Sequence, residues 1–389
     1  MASSRPTHTQ LRILILGNAA PYRIGGAEVQ IRRLADMFSQ LGHRVTIAGY
    51  AMPDRFSGTR PPWQSIRVKV HGSGRWRRAI SFVIALSRLL LWRRRSYDVI
   101  YSRVIGESVL VAAVLKFVGL IRQPIIVSSA CAGESGDAAA LARLPGYVWF
   151  VRLLNRTCSA VNILSPQIED ELKCLGLQAD LFTFIDNGVP EPDSVSRETH
   201  SFDGPRTFLY VGRLSRRKRV DLILRAVSRL KSDDRHTQLH IVGDGPERGQ
   251  LSALAQRLNI ADRVAFYGRI SPQKVWRHYA RHTFFILTSR DEGQPNALLE
   301  AMAHGMPVIV TASGGAEYIM DDTMGIVCPP EDPEALYDAM ARLLTMPSER
   351  LVRMGNRAQQ VVRSRYDLRQ VARQYLELFV KTMRRAHPH

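Results

Sequence analysis

The sequence predicts an α/β fold of two doubly wound parallel sheets facing a central cleft. Three observations predict it. Short apolar strands alternate with helical stretches whose apolar residues recur every three to four positions. The alternation stops at a polar, proline-containing stretch, residues 191–205, and then starts again. A chain of 389 residues is also too long for one ordinary core and suits two. Sheets of this kind take ligands beyond the C-terminal ends of their strands, which places the chemistry in the cleft.

In the first half, residues 11–16 read as an apolar strand and 18–26 as a loop. A helix follows with Ala27, Ile31, Leu34, Ala35, Phe38 and Leu41 on one face, ended by Gly42. Further strands read at 45–48, 99–101, 125–127 and 161–164, with helical stretches between them. In the second half the strands are 208–211, 239–242, 264–267, 285–287 and 308–310. The division is therefore 1–190, a linker over 191–205, and 206–365, with helices continuing to the end of the chain.

One stretch differs in kind. Arg75-Trp76-Arg77-Arg78 precedes an apolar run over 79–92, and Arg93-Arg94-Arg95 closes it. Fourteen residues are too few to span a bilayer. Arginine and tryptophan at both ends suit a helix lying in a membrane interface; the alternative is a buried helix with solvated ends. The charge agrees with the first reading. The chain carries 54 basic and 35 acidic residues, net +19, and residues 1–190 hold 24 of the basic and 12 of the acidic ones. Such a surface attracts anionic lipid head groups, lipid-linked phosphates or nucleic acid. Composition is that of a folded globular protein, 45% hydrophobic and 23% charged. Cys131, Cys158, Cys174 and Cys328 form no metal-ligand spacing and suit a reducing cytosol, and residues 1–10 lack the apolar stretch of a signal peptide.

Residues 291–310 are the most informative. Glu292 stands in a loop; Pro295 and Asn296 are helix-start residues; 297–303 read as helix, and Gly305 sits where a helix-ending glycine belongs. The open N–H groups of Asn296, Ala297 and Leu298 at that start form an anion site, with Gly293 in the approach. Glu292 lies before the anion site and Glu300 one turn into the helix. A phosphate held between groups that bond hydroxyls on either side describes a nucleotide sugar. Arg213 and Lys218, after the strand 208–211, are placed to meet a diphosphate and to neutralise charge developing on it. Gly25 and Gly26 open the first helix and permit close backbone approach to a phosphate or sugar.

These segments resemble the retaining GT-B glycosyltransferases of family 4. The resemblance rests on Glu292 and Glu300 separated by seven residues, on Gly212-Arg213 with Lys218, on Gly25-Gly26-Ala27-Glu28, and on Asp186-Asn187-Gly188-Val189 at the domain junction. The four occur in the family's order and span most of the chain. The resemblance implies two Rossmann-like domains, the last helix (about 366–389) crossing back onto the first. It implies transfer of a hexose-like sugar, with retention, from an NDP-sugar, most simply UDP-sugar, to a lipid-linked or surface-glycan acceptor. The nucleotide sugar is a substrate; no cofactor and no metal is expected, because Arg213 and Lys218 act in place of a cation. Glu292 would bind the donor sugar's hydroxyls and Glu300 the ribose, while the base would lie against Gly268-Arg269.

Two departures from the family are visible. Arg219 stands where a glycine commonly follows the lysine. The histidine expected after the strand 125–127 is missing; Gly133-Glu134-Ser135-Gly136-Asp137 occupies that region, so that Asp137 or Glu134 would bind the acceptor hydroxyl or act as base. The expected location is cytoplasmic, peripheral at the inner face of the membrane, with an anionic surface as partner. Two other functions fit parts of the sequence: a glycoside hydrolase using Glu292 and Glu300 as a carboxylate pair, and a basic nucleic-acid-binding protein, although no recognised nucleic-acid motif is present.

Overall fold

The computed structural model describes residues 10–23, 25–54, 56, 60–192, 202, 204–230 and 237–386. The stretch read as a linker, 191–205, lies largely outside the described residues, as do residues 1–9 and 387–389.

Among the described residues, strands β1 (Arg12–Leu16), β2 (Arg44–Gly49), β3 (Gln64–Arg67), β4 (Val99–Ser102), β5 (Ile125–Ser128), β6 (Cys158–Ile163) and β7 (Phe182–Phe184) form one sheet in the order β3-β2-β1-β4-β5-β6-β7. All neighbours are parallel. The first helix, α1 (Gly26–Gln40), buries Ile31, Leu34, Ala35 and Phe38 on one face, which is the periodicity its sequence shows. Helices α2 (Arg75–Trp92), α3 (Glu107–Phe117), α4 (Asp137–Ala142), α5 (Tyr147–Thr157) and α6 (Pro166–Cys174) complete this half.

The second sheet contains β8 (Thr207–Val211), β9 (Gln238–Val242), β10 (Val264–Gly268), β11 (Phe284–Leu287), β12 (Val308–Thr311) and β13 (Gly325–Cys328), in the order β10-β9-β8-β11-β12-β13 and again parallel. Its helices are α7 (Val220–Arg229), α8 (Arg248–Arg257), α9 (Pro272–Arg281), α10 (Asn296–Ala303), α11 (Ala316–Ile319), α12 (Pro333–Thr345) and α13 (Ser348–Val361). The two-sheet, doubly wound α/β fold expected from the sequence is therefore present. Strand order reverses beside β1 in one sheet and β8 in the other, which are the crevices where such folds hold ligands.

The last helix, α14 (Leu368–Ala386), packs on the first sheet. Leu368, Val371, Ala372, Tyr375 and Phe379 join the core of Ile13, Ile15, Leu34 and Phe38. The return is tied at the junction, where Val189 N donates to Tyr366 O at 2.9 Å and Leu368 N to Val189 O at 3.1 Å.

Two local expectations change. α2 begins at Arg75, so the first basic cluster forms its first turn instead of preceding it. Leu86 and Leu90 of α2 are buried, with Phe82, Ala85, Leu89 and Leu91 packed against the same core, whereas Trp76, Ile80, Val83, Ile84 and Trp92 are exposed; the helix lies on the core by one face and leaves an apolar face open. Asn296 does not cap α10. Pro295 holds that position, and the Asn296 side chain reaches across to the first domain.

Candidate active site

Glu292 lies in the loop between β11 and α10, yet it is a buried residue. Its Oε1 is bonded to Lys218 Nζ, and Arg217 lies 3.9 Å from its other oxygen. Burial pushes a carboxyl pKa up, but Lys218 and Arg217 outweigh it, and Glu292 sits below its ordinary range. The loop is held in place by Glu292 N donating to Ser313 O at 2.8 Å. Gly293 is a steric requirement: a Cβ there would stand 2.6 Å from the Ala130 carbonyl of the first domain.

Lys218 closes a 3-10 turn, Arg216–Lys218, after β8. The next residue, Arg219, has φ 48 and ψ 39, the left-handed conformation usually left to glycine. The loop thus keeps the shape that a glycine would give it. Ion pairs hold Arg219 there, to Asp221 at 3.1 Å and Glu331 at 2.8 Å.

The other cations after β8 have separate fates. Arg217 donates to Asp291 O at 2.7 Å and to Cys131 Sγ at 3.2 Å, so it enters the site from a position the sequence did not single out. Arg213 stands exposed at the margin, with no ion pair among the described residues. Gly268 ends β10 with φ +66, and its carbonyl accepts from Gly243 N at 2.9 Å. This ties its loop to the turn beside Gly212. Arg269 is exposed.

α10 faces α1. Asn296 Nδ2 donates to Gly26 O at 3.0 Å, and Gln30 Nε2 donates to Asn296 Oδ1 at 2.8 Å. Gly25 precedes the helix in extended conformation. One turn further along, Glu300 pairs with Arg33 of α1 and accepts from Tyr279 Oη at 2.8 Å. The junction loop joins the same meeting: Asn187 Nδ2 donates to Gln294 O at 2.9 Å, and Gln294 Nε2 to Asp186 Oδ1 at 2.7 Å. The first intrahelical bond of α10 runs from Leu299 N to Pro295 O. The amides of Asn296, Ala297 and Leu298 therefore precede the helical ladder, as an anion site requires.

On the first-domain wall, Asp137 is buried at the start of α4 and does not face solvent. Its Oδ2 accepts from Ser129 Oγ at 2.9 Å and Ala130 N at 2.7 Å, shaping the loop after β5. Burial pushes its pKa up to about 6, against the hydrogen bonds that favour the ionised form. Glu134 is exposed, and neighbouring Gly133 comes close to Asp291. Beside these residues a cavity of about 1000 Å³ opens between α4 and α6 on one side and Gly314, Glu317 and Tyr318 on the other. Its carboxylates are Glu134, Asp170, Glu171 and Glu317, and its lining includes neither lysine nor arginine.

The structure thus brings Gly26, Lys218, Glu292, Gly293, Asn296 and Glu300 to one cleft and adds Arg33, Cys131, Asn187, Arg217, Tyr279 and Gln294. The additions come from separate segments, and no local spacing in the sequence marks them.

Two family models match the chain. The glycosyl transferase 4-like domain covers residues 25–188, and glycosyl transferases group 1 covers 193–361. An exopolysaccharide phosphotransferase of Streptomyces coelicolor is 33% identical over 230 residues, 58% of this chain and 24% of that protein. The alpha-D-kanosaminyltransferase of Streptomyces kanamyceticus is 29% identical over 233 residues, 57% of this chain and 60% of the relative. The chain therefore spans between a quarter and three-fifths of these curated relatives. The crystal structure of Anabaena HepE in complex with UDP superposes with a TM-score of 0.74 at 18% identity, covering 95% of this chain and 100% of that one. These matches support neither the hydrolase nor the nucleic-acid reading.

Proposed function

Starting from the chain's membership of the GT-B glycosyl transferases group 1 family, we propose that it transfers a hexose-like sugar, with retention, from an NDP-sugar to a lipid-linked or surface-glycan acceptor. The observation that carries this is the pair of buried carboxylates flanking the start of α10. Glu292 is matched to the cations Lys218 and Arg217, and Glu300 lies one turn along the helix.

In this reading Lys218 and Arg217, joined by Arg213 from the margin, take the diphosphate and stabilise the charge that grows as the sugar leaves. The amides of Asn296, Ala297 and Leu298 add hydrogen bonds to the same phosphates. Glu292 holds donor sugar hydroxyls and Glu300 the ribose. Gly25 and Gly26 allow the first domain to approach, and the base lies by Gly268 and Arg269. UDP is the nucleotide in the HepE complex, and a UDP-sugar is the donor we propose here.

Attack comes from the face the leaving group departs, and the leaving phosphate accepts the acceptor's proton. Asp137 is held by backbone and Ser129, so its part is to fix the acceptor loop. The cavity beside these residues, mostly apolar in its lining with Glu134 and Asp170 at it, is where we place the acceptor, with any lipid phosphate outside it. No described helix is long and apolar enough to cross a membrane. The exposed apolar face of α2, between its arginine clusters, would instead dock the protein peripherally on the anionic cytoplasmic leaflet.

The test is a thermal-shift screen of NDP-sugars, since a bound donor raises the melting temperature by mass action, followed by transfer assays with and without EDTA. A shift by one NDP-sugar and EDTA-resistant transfer with retained anomeric configuration are expected. Transfer that chelation abolishes and manganese restores would overturn the role given to the cations.

A further inference from the structure

The two adjacent arginines of α1 meet opposite fates. Arg32 turns outward to the Ala20 carbonyl at 3.2 Å and Asp36 at 3.6 Å. Arg33 crosses the cleft to Glu300, with the two side chains only 12% and 11% exposed. The helices α1 and α10 therefore face each other in two rungs, Gly26 and Gln30 on Asn296, then Arg33 on Glu300. Each rung is about one turn from the other along both helices.

The second rung is incomplete on the arginine side. Nη2 of Arg33 is bonded to Glu300, but Nη1 is buried with no hydrogen-bond partner. A guanidinium donates in a fixed plane, so Nη1 cannot turn to find another acceptor while Nη2 is held. Glu300 has one oxygen on Arg33 and the other on Tyr279. A carboxylate still has lone pairs to spare in that state. A group that accepts from Arg33 and donates to Glu300 would complete the rung, and a sugar hydroxyl can do both.

We propose that Arg33 is a donor-positioning residue supplied by the first domain. It holds the Glu300 carboxylate and donates from Nη1 to a ribose hydroxyl that itself donates to Glu300. Donor binding and apposition of the two domains then become one event. This rests on the reading of Glu300 as the ribose-binding carboxylate.

The test measures binding of UDP, GDP and their 2′- and 3′-deoxy counterparts by calorimetry to the full-length chain and to R33M, R33K and E300Q. In the wild type, the ribonucleotide should bind better than its deoxy forms. R33M should weaken the ribonucleotide about tenfold or more, the loss expected for a charge-assisted hydrogen bond, and leave the deoxy forms nearly unchanged. R33K should flatten the same ratio, because a point charge cannot hold Glu300 and bond the hydroxyl together; it decides the matter if R33M does not fold. A lowered melting temperature of the unliganded variants with the ribose preference intact would make Arg33 a structural strut and overturn the proposal. Loss of the preference in E300Q but not in the Arg33 variants would overturn the proposal alone. An unchanged preference in E300Q would overturn the reading of Glu300 and the proposal with it.

Discussion

Lys218 and Glu292 meet as a mostly buried pair, so changing either one acts on the other. K218A should weaken NDP binding by about 1.5–3 kcal/mol through loss of a charge-assisted bond. It should also lower the melting temperature, because breaking a buried pair from one side costs about 3–5 kcal/mol. The pH dependence separates two carboxylates. Glu292 has a depressed pKa, so its contribution is present above the ordinary glutamate value and is lost as pH falls through the folded one. Asp137 is pushed up to about 6, so stability tied to it is full below about pH 4 and is lost as pH rises to about 6. The unfolding free energy of wild type minus that of D137N should therefore fall across that window, by roughly 3 kcal/mol at most; a constant difference would refute it. The spacing of Glu292, Glu300 and Lys218 was legible because each motif is local. Arg217 was not legible in a run of four cations, since what distinguishes it is Asp291, Cys131 and Glu292, more than seventy positions away in sequence.

The elements most legible in the sequence are those buried on both faces. β1, β4, β5, β8, β11 and β12 read as short apolar runs because helices cover both sides of their sheets. The strands that were not legible, β3, β7 and β13, are sheet edges; β3 and β7 are short and interrupted by polar or half-exposed residues, whereas β13 is a four-residue apolar run and the fourth edge, β10, was read. α2 carries the element-scale prediction. Arginines in its first turn oppose the helix dipole, and Gly74 ahead of them offers no side-chain cap; anionic head groups would relieve both. Phe117 and Val118, at the end of neighbouring α3, are also exposed. The protein should co-sediment with anionic vesicles much more than with neutral ones, and salt should weaken the binding. Changing Arg75, Arg77, Arg78, Arg93, Arg94 and Arg95 to Gln should release it while leaving NDP affinity intact. Equal binding to both vesicle types would remove the electrostatic basis.

At the scale of the whole molecule, one side chain joins the parts that sequence reading kept separate. Arg103 follows β4 and is 1% exposed. It donates to Tyr101 Oη at 3.2 Å, to Tyr375 Oη of α14 at 3.4 Å, and to Asn187 of the junction loop. Asn187 in turn bonds Gln294 beside Glu292. The first sheet, the returning helix, the junction and the donor loop thus share one polar hub. Nothing in the sequence around Arg103 announces this, because Asn187 and Tyr375 lie far along the chain and none of its three partners is a carboxylate. Its charge is favoured by the two tyrosines against the cost of burial, and its Nε is left without a partner. R103M removes a costly buried charge but takes a donor from Asn187 and Tyr101, while Tyr375 keeps Asn162 Nδ2 at 3.0 Å. Each lost bond costs about 1–3 kcal/mol where its partner stays buried. We expect a lower melting temperature by calorimetry together with several-fold weaker NDP binding, because Asn187 no longer fixes Gln294 and the donor loop loosens. A lower melting temperature with unchanged NDP affinity would confine Arg103 to the fold of the first half and sever the proposed link between the hub and the donor site.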